Sequence, residues 1–197
     1  MRYLDAETAS ALWATLLRRS ARWLTAVAGH AGYLACLNGG REETLHALAG
    51  TPARLVLTPA GTTVARLADA TCQIAAERPG PLLIASPDLP QLSIAHAQAA
   101  REDLDDGCDL SIGPASDGGC YLLALARPDP ALLARATGWR RDETMLHGIQ
   151  VASEAGMSMA LLRSERELHT PGDARALLAD PLAPRDVVEV LKRARLP

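Results

Sequence analysis

The sequence predicts an α/β fold in three layers, with a mostly parallel sheet held between two layers of helices. Three observations lead there. Leu82-Leu83-Ile84-Ala85 is apolar at every position, opened by the turn signal Pro79-Gly80-Pro81 and closed by Ser86-Pro87-Asp88. A strand that is apolar throughout, and not at every second residue, is covered on both faces, as central strands of parallel sheets are. Short apolar runs also alternate with segments of helical periodicity along nearly the whole chain, the pattern of strand–helix–strand units with right-handed crossovers. Finally, 197 residues fit one α/β domain with a sizeable core.

Taken in order, Asp5 to about Ala28 reads as a long amphipathic helix. Asp5 is its N-cap, Glu7 lies in the first turn, and Leu12, Leu16, Trp23 and Val27 fall near one stripe. Gly29 and Gly32 end it. Tyr33 to Leu37 is a short strand, followed by the Asn38-Gly39-Gly40 turn and a helix from Arg41 to Ala49. Arg54 to Leu57 is the next strand, and Thr62 to Glu77 the next helix, with Val64, Leu67, Ala68, Ile74 and Ala75 at helical spacing. After the strand at Leu82 comes a helix from about Leu89 to Leu104. Asp109 to Ile112 and Cys120 to Leu125 are two further strands. Pro128-Asp129-Pro130 opens a short helix, with proline at its first position. Arg141 to Ala155 is helical up to Gly156, Met157 to Leu162 is the last strand, and helices start near Thr170 and Pro184. No internal repeat, linker or low-complexity tract interrupts this order, so a single domain over residues 1–197 is expected.

The balance of residues narrows the function. An apolar share of 48% and a charged share of 22% are those of an ordinary globular protein. No apolar run approaches the ~20 residues of a membrane span, and Asp5 and Glu7 break any secretory pattern, so a cytoplasmic protein is expected. A net charge of −3 with no block of Lys and Arg argues against a nucleic-acid partner. Cys36, Cys72, Cys108 and Cys120 form no Cys-x-x-Cys pair, which points to four reduced, mostly buried thiols and not to zinc or disulfides.

Three segments carry residues fit for chemistry. Asp88 falls just past the carboxyl end of the strand at Leu82, the edge where open α/β sheets bind ligands. A carboxylate there suits a metal or phosphate site. It equally suits the N-cap of the next helix, with Gln91 completing the box. Asp117-Gly118-Gly119 joins two apolar runs and so reads as a hairpin turn. Yet the connection is longer than a tight hairpin needs, and adjacent glycines let backbone N–H groups approach a ligand closely. In the third segment, Glu167-Leu168-His169-Thr170-Pro171-Gly172-Asp173, a helix cap accounts for Thr170, Pro171 and Asp173 but leaves His169 without a structural task.

Taken together, Ser86-Pro87-Asp88-Leu89-Pro90, then Gly113-Pro114-Ala115-Ser116-Asp117-Gly118-Gly119-Cys120-Tyr121-Leu122-Leu123, then Trp139 with Thr144, resemble the rSAM/selenodomain-associated transferases. These are a domain-of-unknown-function group within the GT-A nucleotide-diphospho-sugar transferase superfamily, and the resemblance runs from Arg2 to Leu178. It implies a GT-A fold and metal-dependent glycosyl transfer from a nucleotide-sugar to a small-molecule acceptor, with Mg²⁺ or Mn²⁺ as cofactor. A nucleotidyltransferase of the same fold, or a non-catalytic binding subunit, is the alternative. A homo-oligomer is compatible with either. Asp88 matches the family's metal-binding aspartate, and Asp117, Gly118 and Gly119 match its acceptor loop, with Asp117 orienting or deprotonating the acceptor. Tyr121, Trp139 and Arg66 match substrate-binding positions. A diphosphate leaving group needs just such a cation and backbone donors.

Three departures from that pattern matter. Where the family reads Asp-Val-Asp-Thr-Pro, this chain has Glu167-Leu168-His169-Thr170-Pro171: His169 stands as a second metal ligand in place of an aspartate, and Glu167 is still a carboxylate, so the site is expected to be altered and not lost. Gly61-Thr62-Thr63-Val64-Ala65-Arg66 lacks the acid of the family's Gly-Asp-Leu-Gly-x-Arg segment. Of the family's first strand and nucleotide-gripping loop, only the tail is expected here, as Arg2-Tyr3-Leu4. The expected consequence is a sheet closed directly, Tyr33–Leu37 against Leu82–Ala85, with weak or absent nucleotide binding; the alternative is a gap filled by a segment from elsewhere, such as a second chain.

Overall fold

The computed structural model of the chain describes residues 4–135 and 144–194. In order, its elements are α1 (Ala6–Ala28), β1 (Tyr33–Leu37), α2 (Arg41–Leu48), β2 (Arg54–Thr58), α3 (Thr63–Glu77), β3 (Leu82–Ala85) and α4 (Ile94–Asp105). There follow β4 (Leu110–Pro114), β5 (Cys120–Leu125), α5 (Pro130–Arg135), α6 (Thr144–Glu154), β6 (Met159–Leu161), α7 (Pro171–Ala179) and α8 (Arg185–Leu191). This is the layered α/β architecture expected.

The strands form two sheets. β1 and β2 pair in parallel, while the larger sheet has the order β3-β5-β4-β6. Within it β4 and β6 are parallel and β5 runs against both β3 and β4, so three of its four strands point the same way. The strand buried at every position is β5, not β3. Each residue of β3 is only half buried, because its sole ladder partner among the described residues is β5. Its apolar faces are nonetheless covered: Leu83 packs with Leu89, Ala100 and Tyr121, and Ile84 with Leu110, Leu123 and Leu125. An unbroken apolar run reports covered faces and says nothing about ladder partners.

Direct closure of the sheet does not occur. β1 pairs with β2 alone among the described residues, and no ladder joins it to β3. A cavity of about 1590 Å³ separates the two strands, with α1 on one side and α3 on the other. Helix α1 holds the halves together. Leu12 and Leu16 are buried against Leu177, Val187 and Leu191, and Ala21 packs against Leu48 and Ala53. Further along, Trp23 Nε1 donates to Ser93 O at 2.9 Å, and Arg19 reaches both Pro90 O and Asp186.

Two smaller expectations also need correction. The helix after β3 starts at Ile94, capped by Ser93 with His96 closing the box, so Asp88 caps nothing. Gln91 instead donates to Asp180 at 2.6 Å. Of the four free thiols only Cys120 is buried; Cys72 is exposed on α3, and Cys36 and Cys108 are half buried.

Candidate active site

Three chain segments converge at the carboxyl end of β3. The first is Ser86-Pro87-Asp88, where the Asp88 N–H donates to Ser86 Oγ at 3.1 Å and turns the chain sharply after the strand. The second is the β4–β5 connection. Gly118 adopts φ 85°, which only glycine accepts readily, and Asp117 Oδ1 receives the Gly119 N–H at 3.1 Å. A Cβ on Gly119 would stand 3.1 Å from that same oxygen, so the second glycine keeps the Asp117 carboxylate seated. The third is the extended segment before α7. It is fastened to the other two through Leu168 N–H to Asp88 O at 2.8 Å and Ser116 N–H to Glu165 O at 2.8 Å.

Capping sets the position of His169. Thr170 is the N-cap of α7 and forms a reciprocal box with Asp173, whose Oδ2 also accepts the N–H of His169 at 3.2 Å. The ring is thereby aimed between two carboxylates: Nδ1 meets Asp117 Oδ2 at 2.9 Å and Nε2 meets Asp88 Oδ2 at 3.3 Å. The hydrogen bond to Asp88, and then that to Asp117, outweigh the effect of burial and lift the imidazole pKa to about 9. Beside it lies Glu167, whose carboxyl is raised to about 7 by burial, against the opposing hydrogen bond from Ser86. One ligand atom each from Asp117, Glu167 and His169 lies within 4.8 Å of the others, close enough to hold one cation. One imidazole nitrogen among carboxylate oxygens is a donor set suited to Mn²⁺ more than to Mg²⁺.

Of the residues singled out in the sequence, Asp88, Asp117, Gly119 and His169 line the same cavity, and Gly118 lies in the loop that shapes it. Arg66 lines that cavity too, with Nε donating to Thr58 Oγ1 at 3.1 Å. Tyr121 is not brought to the site. It is fully buried, its ring lies edge-on to His96, and its hydroxyl donates to Arg163 O at 3.2 Å. Trp139 lies outside the described residues. Sequence reasoning left Ser86 out of the site and counted Glu167 only as a carboxylate beside it, not as a ligand. A signal for Glu167 was there: in an extended segment residues two apart face the same way, so Glu167 goes where His169 goes.

Residues 21–139 match the family model described as "Uncharacterized protein conserved in bacteria (DUF2064)". No curated protein matches the sequence. Among solved structures, a provisionally named nucleotide-diphospho-sugar transferase from Desulfovibrio desulfuricans G20 aligns with a TM-score of 0.79 at 18% identity, over 95% of this chain and 83% of that one. Molybdopterin-guanine dinucleotide biosynthesis protein A from Archaeoglobus fulgidus aligns with a TM-score of 0.44 at 15% identity, over 82% of this chain and 77% of that one. The first likeness establishes a shared fold; the second is too distant to argue from.

Proposed function

We propose, on the premise that this chain belongs to the DUF2064 family, that it transfers a group from a nucleotide-diphospho-sugar to a small acceptor at the Asp88–Asp117–Glu167–His169 cluster. The single observation that carries the reading is the convergence of three carboxylates and an imidazole at the carboxyl edge of the sheet. That edge is where α/β folds bind nucleotides.

In this reading Asp117, Glu167 and His169 would hold a divalent cation, with Mn²⁺ preferred. When bound, the cation would neutralise charge on a diphosphate leaving group. Asp88 orients the imidazole from its far side. Asp117 has a further role, since a ligand carboxylate still accepts a hydrogen bond through its second oxygen, here toward an acceptor hydroxyl. The Gly118–Gly119 backbone lets the acceptor come close.

The test is a thermal-shift panel of nucleotide-diphospho-sugars and nucleoside triphosphates, each with and without Mn²⁺, followed by a product assay. A ligand at ~100 times its Kd should stabilise the chain by about 2.7 kcal/mol, a rise of roughly 5–11 °C for this size. Asp117→Asn should abolish the Mn²⁺-dependent part of the shift. Silence across the whole panel would reject the reading. A shift without turnover of any sugar or nucleotide would leave a binding subunit in its place.

A further inference from the structure

Glu167 is buried, and among the described residues the Ser86 hydroxyl alone donates a hydrogen bond to its side chain. One of its oxygens lies within 4.8 Å of ligand atoms on Asp117 and His169. Ser86 is itself held at two points. Its N–H donates to Tyr121 O at 2.8 Å, one bond beyond the last rung of the β3–β5 ladder, and its Oγ accepts the N–H of Asp88 at 3.1 Å. A serine hydroxyl has a single proton to give. Asp88 takes up the oxygen as an acceptor, and the proton goes to Glu167. One hydroxyl, anchored to the sheet, thus ties the loop of Asp88 to the carboxyl of Glu167.

We propose that Ser86 is a positioning residue that decides which cation the site takes. The role rests on the cation site of Asp117, Glu167 and His169 proposed above. A carboxylate can close on a cation with both oxygens or with one. Ca²⁺ gathers about six to eight oxygens and commonly takes a carboxylate by both, whereas smaller octahedral ions take one oxygen from each. The Ser86 proton holds one oxygen of Glu167 back, so Glu167 offers the cation only the other. A site of single-atom ligands, with its remaining positions left for water and a diphosphate, fits Mn²⁺ and denies Ca²⁺ the second oxygen. Removing a hydrogen bond that orients a ligating side chain typically costs about 10–100-fold in metal affinity. Ser86 touches no reacting atom in this role and acts through Glu167.

The experiment measures Mn²⁺ and Ca²⁺ affinity by calorimetry on the whole chain, in the native protein, Ser86→Ala, Ser86→Thr, Glu167→Gln and the double variant Ser86→Ala/Glu167→Gln. Ser86 is only half buried, so alanine leaves no large void and threonine keeps the hydroxyl with room for its methyl. If Ser86→Ala does not fold, Ser86→Cys, similar in shape and a poor donor, takes its place. The native chain should prefer Mn²⁺. In Ser86→Ala, Mn²⁺ affinity should fall by about 10–100-fold while Ca²⁺ affinity holds or rises, and Ser86→Thr should restore the preference. In the Glu167→Gln background, Ser86→Ala should leave the ratio of the two affinities unchanged, because the carboxylate it acts through is gone. Parallel loss of both cations would mean a general loosening and overturn the proposal. So would a ratio that Ser86→Ala leaves unaltered, a threonine variant as poor as alanine, or a native chain that binds Ca²⁺ as tightly as Mn²⁺. A native chain that binds neither cation would sink the cation site itself, and this role with it.

Discussion

His169 is held at both ring nitrogens by carboxylates, and that fixes how the metal-free chain responds to pH. Its folded pKa of about 9 lies above the ordinary 6.5, so the stabilisation is complete below pH ~6.5 and disappears as pH rises through 9. Glu167, raised to about 7 from 4.5, works in the same sense: folding prefers its protonated form, an advantage lost as pH rises through 7. In EDTA, the stability difference between the native chain and His169→Gln should shrink by about 3 kcal/mol between pH 6 and pH 9.5, measured by urea denaturation. A difference that stays constant would mean the ring is not held this way. A second residue-scale prediction concerns packing. A Cβ at Gly113 would stand 2.5–2.8 Å from the Tyr121 ring, so Gly113→Ala should cost about 1–3 kcal/mol. In the background of Tyr121→Leu that loss should largely vanish, since the two residues share one space. Neither Gly113 nor Tyr121 showed this partnership in the sequence, where they are eight positions apart on different strands. His169 was legible because a helix cap left it without a structural task, whereas Asp88 and Asp117 each also fitted a cap or a turn and stood out through the family resemblance. Glu167 was harder to see, since burial is what makes it unusual and burial is a property of the fold.

At the scale of elements, the cap of α7 does two things at once. Thr170 and Asp173 close the first turn, and the same Asp173 carboxylate fixes the His169 backbone. Thr170→Ala should therefore lower stability by about 1 kcal/mol and also weaken Mn²⁺ binding, the first read from the melting temperature and the second by calorimetry. Unchanged Mn²⁺ affinity would separate the cap from the site. This cap was readable, because Thr-Pro-Gly-Asp is a strong helix start. The cap of α4 was not: its box is completed by His96, a buried residue whose Nε2 meets Glu165 at 3.1 Å, and capping rules look for Glu or Gln there. Strands divide along the same line. Their existence and limits came from apolar runs, whereas β5 lying between β3 and β4 depends on long-range pairing that periodicity does not encode.

In the molecule as a whole, two sheets are held side by side by α1 and, among the described residues, not by a shared ladder. Local opening should follow that division. Amides of β5, the strand buried at every position, should exchange slowest, and the amides on the unpaired, cavity-facing edge of β1 should exchange orders of magnitude faster although they belong to a strand. Uniform protection across both sheets would contradict an open edge on β1. The sequence led to direct pairing of Tyr33–Leu37 with Leu82–Ala85, which does not occur, because whether the gap closes depends on where α1 settles. Here Trp23 bonds Ser93, and Arg19 bonds Asp186 and Pro90 O, which anchors α1 without drawing the strands together. The same helix carries an optical reporter. Trp13 lines the cavity and is 41% exposed, so its indole emits from a largely aqueous setting. A ligand filling the cavity would dehydrate that ring and shift its emission to the blue, and subtracting the spectrum of Trp13→Phe isolates the signal from the other two tryptophans. Occupancy of the gap can thus be followed as a change of colour in an unlabelled protein.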